Sequence, residues 1–186
     1  MQNEPVNVHL CPGIKGKVGL ARANAFRNGN AEYVAFVDAD DEVMPGAFDA
    51  ALAILDSRPE IVATYCDIQL IDQPEGVGYI KAPWNPLSQL FSPSEVHHLH
   101  VMRREAVNAN LDELERWDGF EEYVLMGLIC QFGQQYHIPR PLYRFRQHNS
   151  YPRAGAIGGD PMRQAAGKKV MPILYDLHKR GIRQCN

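Results

Sequence analysis

The sequence predicts a mixed α/β fold whose sheet is mainly parallel and flanked by helices. Three observations carry that reading. The continuous apolar run Tyr33-Val34-Ala35-Phe36-Val37 has the length and composition of a strand buried on both faces. Helical stretches stand on either side of it, one from Leu20 to about Arg27 and an amphipathic one from about Pro45 to Ser57. Strand-like and helix-like segments then alternate toward the C-terminus, the pattern of a sheet covered by helices.

Each element has its own local reason. Val6-Asn7-Val8-His9-Leu10 alternates with period two and stops at Cys11-Pro12-Gly13, which predicts a strand running into a turn. The glycine-bearing loop Gly13-Ile14-Lys15-Gly16-Lys17-Val18-Gly19 opens the first helix, and Asn28-Gly29-Asn30 closes it with residues that tolerate left-handed backbone. Pro45 suits the first turn of the next helix, and Phe48, Ala51, Leu52 and Leu55 share a face there. Ile61 to Tyr65 reads as a strand. Gln73 to Ser94, punctuated by Pro74, Pro83, Pro86 and Pro93, reads as a loop with a hairpin arm at Val77–Lys81.

Asp118 and Glu121 have the spacing of a capping box, so a helix should follow with Phe120, Val124, Leu128, Ile129 and Phe132 on one face. Short strands are expected at Gln135–His137 and Leu142–Phe145, on either side of Pro139-Arg140-Pro141. Gly155, Gly158 and Gly159 make a flexible loop. The last helix, Met162–Arg180, carries Ala166, Val170, Ile173, Leu174 and Leu177 on one side and ends at Gly181.

Composition narrows the function classes. The chain has 186 residues and a net charge of −3, with a pI of about 6.1, so nucleic acid is not an expected partner. No apolar stretch approaches bilayer length, and residues 1–10 lack the apolar core of a signal peptide, so a cytoplasmic globular domain off the membrane is expected. Cys11, Cys66, Cys130 and Cys185 are scattered, without a C-x-x-C pair.

The chemistry concentrates at Asp38-Ala39-Asp40-Asp41, where the apolar run ends. Ligands of open α/β sheets bind beyond the carboxyl ends of the strands, which favours this position. Carboxylates so close together repel one another unless a cation or donors neutralise them. Oxygen ligands of this kind suit Mg²⁺ or Mn²⁺; the alternative is that Asp41 and Glu42 only decorate the following helix. His97-His98-Leu99-His100 has spacings compatible with a transition metal, but no thiolate lies near it in sequence, and an edge strand lining a groove is the expected reading.

Several ordered motifs resemble glycosyltransferase family 2, inverting enzymes of the GT-A fold that use nucleotide-sugar donors. They are Gly19-Leu20-Ala21-Arg22-Ala23-Asn24-Ala25, then Ala31 to Asp41, then Pro45-Gly46-Ala47, and finally Leu142 to Ser150 with its Arg146-Gln147-His148. An alanine is inserted at the helix start, in Ala21-Arg22-Ala23-Asn24. The resemblance implies a metal-dependent transferase in which Asp40, Asp38 and His148 hold Mn²⁺ or Mg²⁺. It places Arg22, Asn24, Asp38, Asp40, Arg146 and His148 at the donor, a UDP-sugar foremost.

The same resemblance makes Glu121-Glu122 the acidic pair at a helix start, with Glu122, where the family usually has Asp, as the base that takes the acceptor hydroxyl's proton. His98, Arg103 and Trp117 would lie on the acceptor side, and Trp84 is a second candidate for stacking on a sugar. Residues 1–150 form the catalytic domain, and 151–186 a flexible loop and helix packed on it. The resemblance lacks the strand, helix and second strand that open family members, so a truncated GT-A fold is expected, in which a homodimer or partner chain completes the nucleotide site, the nucleotide is held in another way, or the domain no longer turns over. Two rivals remain: a non-catalytic sugar- or nucleotide-binding relative, and a phosphohydrolase of the haloacid dehalogenase type. The latter calls for Thr or Val where Glu42 stands.

Overall fold

The computed structural model describes residues 8–92, 96–117, 119–147 and 161–184. Its sheet contains β1 (Tyr33–Ala35), β2 (Glu42–Val43), β3 (Ile61–Leu70), β4 (Gly78–Tyr79), β5 (Val101–Arg103) and β6 (Gln134–Phe145), in the order β1-β5-β3-β6-β2 with β4 on the edge of β3. The long central pair, β3 and β6, is parallel. β5 lies antiparallel between β1 and β3, so β1, β3 and β6 all run the same way. The sheet is therefore mixed, with its three main strands codirectional.

Helices cover both faces. α1 (Val18–Arg27), α4 (Arg104–Asn108), α5 (Leu111–Arg116) and α6 (Glu121–Leu128) pack one side, where Ala23, Phe26, Val34, Phe36, Met102, Leu114 and Leu125 form a core. α2 (Ala47–Ser57) covers the other through Ala47, Ala51 and Leu55. The run at Tyr33 is buried on both faces as its composition predicts: Val34 and Phe36 join the first core, and Tyr33 and Ala35 pack on the second. α3 (Pro86–Phe91) and α7 (Pro161–Lys179) complete a third cluster, where Ala166, Val170 and Leu174 meet Val124 and Leu128.

The local readings hold with specific corrections. Val8 to Leu10 is exposed and not a strand; residues 1–7 lie outside the described residues. Phe48 is exposed, because Ala47 rather than Phe48 begins the buried face of α2. The loop after β3 contains α3, whose Asn85 side chain accepts hydrogen bonds from the N–H groups of Leu87 and Ser88, with Pro86 in the first turn. β6 is one strand rather than two. Its register against β3 jumps between Ile138 and Pro141, so the two prolines are absorbed in a bulge. Phe132 is exposed beyond the 3-10 turn Ile129–Gln131.

α6 begins at Glu121 with Phe120 as N-cap and no side-chain cap. Asp118, the other half of the expected capping box, lies outside the described residues. Glu121 is the first residue of the helix and faces the site. One glycine is needed for that geometry: a Cβ on Gly19 would stand 2.1 Å from the Leu114 carbonyl oxygen, so Gly19 lets α1 lie directly on α5. Arg22, one turn later, is thereby carried over the start of α6.

Candidate active site

Beyond β1 the backbone drops into the acidic turn on a floor made by Phe36, which is 8% exposed. The Arg22 guanidinium lies over that ring, 4.1 Å from its centroid. His98 and His100 meet the same ring edge-on at 6.1 and 5.8 Å. One aromatic ring thus seats a cation from α1 and two imidazoles from the segment leading into β5.

Arg22 is the hub of the charges. It donates to Asp38 Oδ1 at 2.8 Å and to Glu121 Oε1 at 3.0 Å, and stands 3.6 Å from Glu122 Oε2. Its side chain is 13% exposed, so its pairs with the buried helix-start carboxylates are shielded from water and salt. The helix-start carboxylates and the acidic turn, 99 residues and 16 residues from Arg22 in sequence, share one counter-ion.

The carboxylates differ in environment. Asp41 accepts from the Tyr143 hydroxyl at 2.7 Å and from the Arg146 backbone N–H at 2.8 Å; burial nevertheless lifts its pKa above the ordinary value. It is an anchor for the turn. Asp38 is half-exposed, and its own N–H donates to the Tyr143 oxygen at 3.3 Å. Asp40 is exposed at the tip, with its carbonyl accepting from Arg146 Nε at 3.2 Å. Arg146 also pairs with Asp72 at 2.8 Å, strapping the turn to the end of β3.

Glu122 sits inside a ring of imidazoles. Its Oε1 is 3.2 Å from His100 Nδ1, and 3.9 Å from both His98 Nδ1 and His97 Nε2. Burial alone would raise this carboxyl, but His98, His97 and His100 outweigh it and hold it well below the usual carboxylate range. Glu121 goes the other way, since its burial dominates the Arg22 contact and raises it. Two neighbouring carboxyls are thus driven apart, as in sites that divide acid–base work.

Burial pushes His98 down to about 3. A neutral imidazole is therefore held in the fold while the unfolded chain takes up a proton near pH 6.5, so stability is present above that pH and falls as pH drops toward 3. His97 is lowered by burial in the same sense. Between pH 7 and 5.5, above the range where Asp41 and Glu121 oppose the trend, the His98 share is about 1 kcal/mol. Melting temperature should fall by roughly 2–4 °C over that interval. A thermal scan with a flat or rising profile would contradict this assignment.

The other sequence-predicted residues fall in several places. Asn24 donates to the Pro12 carbonyl at 3.1 Å, fastening the loop before α1. Arg103 lies at the far end of the sheet, opposite Tyr33, and donates to the Ile61 and Leu55 carbonyls. Trp117 donates to Glu113 at 2.9 Å and packs in the third cluster; Trp84 is 1% exposed and donates to Gln89 at 2.8 Å. His98 is 1% exposed between Asp38 and Glu122. His148 lies outside the described residues. Sequence reasoning missed Tyr143, whose ring stacks on His98 at 5.0 Å, although it stands within the Leu142 to Ser150 motif.

Comparison with known proteins agrees with the fold. No family model matches the chain. It is 28% identical over 169 residues to the O-antigen biosynthesis protein RfbC of Myxococcus xanthus, covering 89% of this chain and 13% of that protein. Two crystal structures of S. aureus TarS 1-349 are similar. The complex with UDP superposes with a TM-score of 0.56 at 16% identity, covering 86% of this chain and 44% of that one. The complex with UDP-GlcNAc gives 0.50 at 13% identity, covering 86% and 52%. No helix among the described residues is long and apolar enough to cross a membrane. The chain has a glycosyltransferase-like α/β fold, with its acidic turn, Arg22 and the start of α6 drawn into one site.

Proposed function

We propose that the chain transfers a sugar from a nucleotide-sugar donor to an acceptor hydroxyl, with inversion and with a divalent cation. The observation that carries this reading is Arg22 joining Asp38 of the acidic turn to Glu121 and Glu122 at the start of α6. Donor-side and acceptor-side carboxylates then border one space. The RfbC likeness, and the UDP and UDP-GlcNAc bound in TarS, support a sugar nucleotide and make uridine donors the first to test.

The residues present fit a hard cation. Asp38, Asp41 and His98 offer ligand atoms within 4.8 Å of one another, and Asp38 and Asp40 would hold the ion as the resemblance of the acidic turn implies, with Asp41 fixing the turn through the hydrogen bonds its two oxygens accept. Bound there, Mn²⁺ or Mg²⁺ supplies positive charge against the charge that develops on a departing diphosphate. Arg146, strapped over the Asp40 carbonyl, adds a cation on that side. Glu122, ionised at neutral pH, accepts the acceptor's proton.

The direct test is UDP release from UDP-sugars together with thermal shift, with and without Mn²⁺. Donor binding should raise the melting temperature by linkage in the parent. Asp40→Ala should abolish the Mn²⁺-dependent shift and leave the fold intact. Asp41→Asn should instead lower the melting temperature, because its two hydrogen bonds anchor the turn. Retention of the metal-dependent shift in Asp40→Ala would remove Asp40 from the site. Release of phosphate from a simple ester without a sugar nucleotide would favour the phosphohydrolase. A second reading, a subunit that needs a partner chain, is favoured by β1 having a single partner strand among the described residues. It predicts donor binding without transfer until that partner is added.

A further inference from the structure

Glu95 precedes the histidine segment in sequence, and the fold brings a second carboxylate, Glu122, against it. His97, His98 and Glu122 each offer a ligand atom, all within 4.8 Å of one another. Two independent features mark this as more than crowding. The Nδ1 of His98 is buried without a hydrogen-bond partner, and the Nδ1 of His100 and the Oε1 of Glu122, 3.2 Å apart and equally buried, face only each other, an expensive arrangement for a packed interior. The His100 ring is also positioned from behind. His100 Nε2 is 3.1 Å from the Val96 carbonyl, which makes it the donor there and turns Nδ1 toward Glu122 Oε1 at 3.2 Å. His98 Nε2 stands 3.6 Å from Asp38 Oδ2, beyond hydrogen-bond distance, and its Nδ1 lies 3.9 Å from Glu122 Oε1. A carboxylate or carbonyl behind an imidazole is how ligating histidines are oriented.

We propose that His97, His98 and Glu122 form a second metal site that takes Zn²⁺ or a similar imidazole-preferring transition ion, distinct from the oxygen-rich acidic turn. Tetrahedral Zn²⁺ with bonds of about 2.0–2.1 Å spaces its ligand atoms by roughly 3.3 Å. Glu122 Oε1 stands 3.9 Å from each partner nitrogen, so a small closure completes the set. His97 is 37% exposed and gives the ion its way in. Imidazoles select against Mg²⁺ and Mn²⁺, which keeps the two sites chemically separate. The ion would engage the oxygen assigned above to the acceptor's proton, so Zn²⁺ would act as a brake on transfer. That last consequence alone rests on the proposed function.

The site is tested by binding, which does not depend on turnover. The full chain is titrated with Co²⁺, whose visible absorption reports four-coordinate nitrogen and oxygen ligation, and the ion is then displaced with Zn²⁺. One Co²⁺ per chain is expected, displaced stoichiometrically. His97→Ala, at a partly exposed position that the fold tolerates, should weaken binding by ~10-fold or more, as should Glu122→Gln. Circular dichroism checks that both variants are folded. Asp40→Ala should bind Co²⁺ as the parent does. The proposal is overturned if the parent shows no stoichiometric absorption, if folded His97→Ala binds like the parent, or if Asp40→Ala abolishes the signal, which would place the ion in the acidic turn.

Discussion

Glu122→Gln should lower the rate of sugar transfer by ~10²–10⁴-fold while donor binding stays as in the parent. The amide keeps the volume of the side chain inside its imidazole ring but has no basic oxygen for the acceptor's proton. Glu121→Gln is the matched control. Glu121 is 6% exposed and spends one oxygen on Arg22, so its loss should appear as about 1–3 kcal/mol of stability rather than as a dead enzyme. Single-turnover transfer and melting temperatures on the same preparations separate the two effects. If Glu121→Gln were inactive and Glu122→Gln active, the roles would be exchanged. If both kept full rate in an active preparation, the base would lie elsewhere.

The second large effect concerns Arg22. Arg22→Met keeps the stem over Phe36 but leaves Asp38, Glu121 and Glu122 around a shared space without their cation. Breaking a buried ion pair by deleting one partner costs about 3–5 kcal/mol, so the melting temperature should fall by roughly 6–20 °C. Combining it with Glu121→Gln should recover part of the loss, with a coupling of about 0.5–3 kcal/mol. Arg22→Lys retains the charge but cannot fork between two carboxylates, and should fall between parent and Met variant. Denaturant melts of the four chains decide the matter. Strict additivity of Arg22→Met and Glu121→Gln would mean that the pair is not coupled.

Much of this was legible in the residues, and the failures have physical causes. Periodicity locates α1, α2, α6 and α7 because each buries a stripe against a sheet or another helix. The Tyr33 run reveals a strand covered on both faces. β6 escapes because Pro139 and Pro141 look like strand breakers, whereas the bulge opposite Cys66 and Asp67 removes the need for their N–H groups. Asp67, which interrupts the apolar run of β3, is held by His137 at 2.8 Å across the parallel pair, a partner 70 residues away.

The site divides along the same line. The acidic turn, Arg22 and Glu122 are visible as local motifs. The histidines meet Glu122 only in three dimensions, and Arg103 is carried to the wrong end of the sheet for an acceptor contact because β5 runs antiparallel to β1. Strand direction is not written in the alternation of side chains.

The Tyr143 hydroxyl on Asp41 has a consequence for the order of events during synthesis. The acidic turn is made early, but its tethers, Tyr143 and the Arg146 N–H, come 102 and 105 residues later. Glu121 reaches Arg22 across 99 residues. Every such contact closes a long loop, whose entropy must be met before the contact gives anything back. A nascent chain that has emerged only as far as β5 therefore carries the acidic turn without its anchor and Arg22 without the α6 partners. On the proposed function, competence toward a sugar nucleotide would therefore arrive only with β6, which brings Tyr143 and Arg146 to the acidic turn.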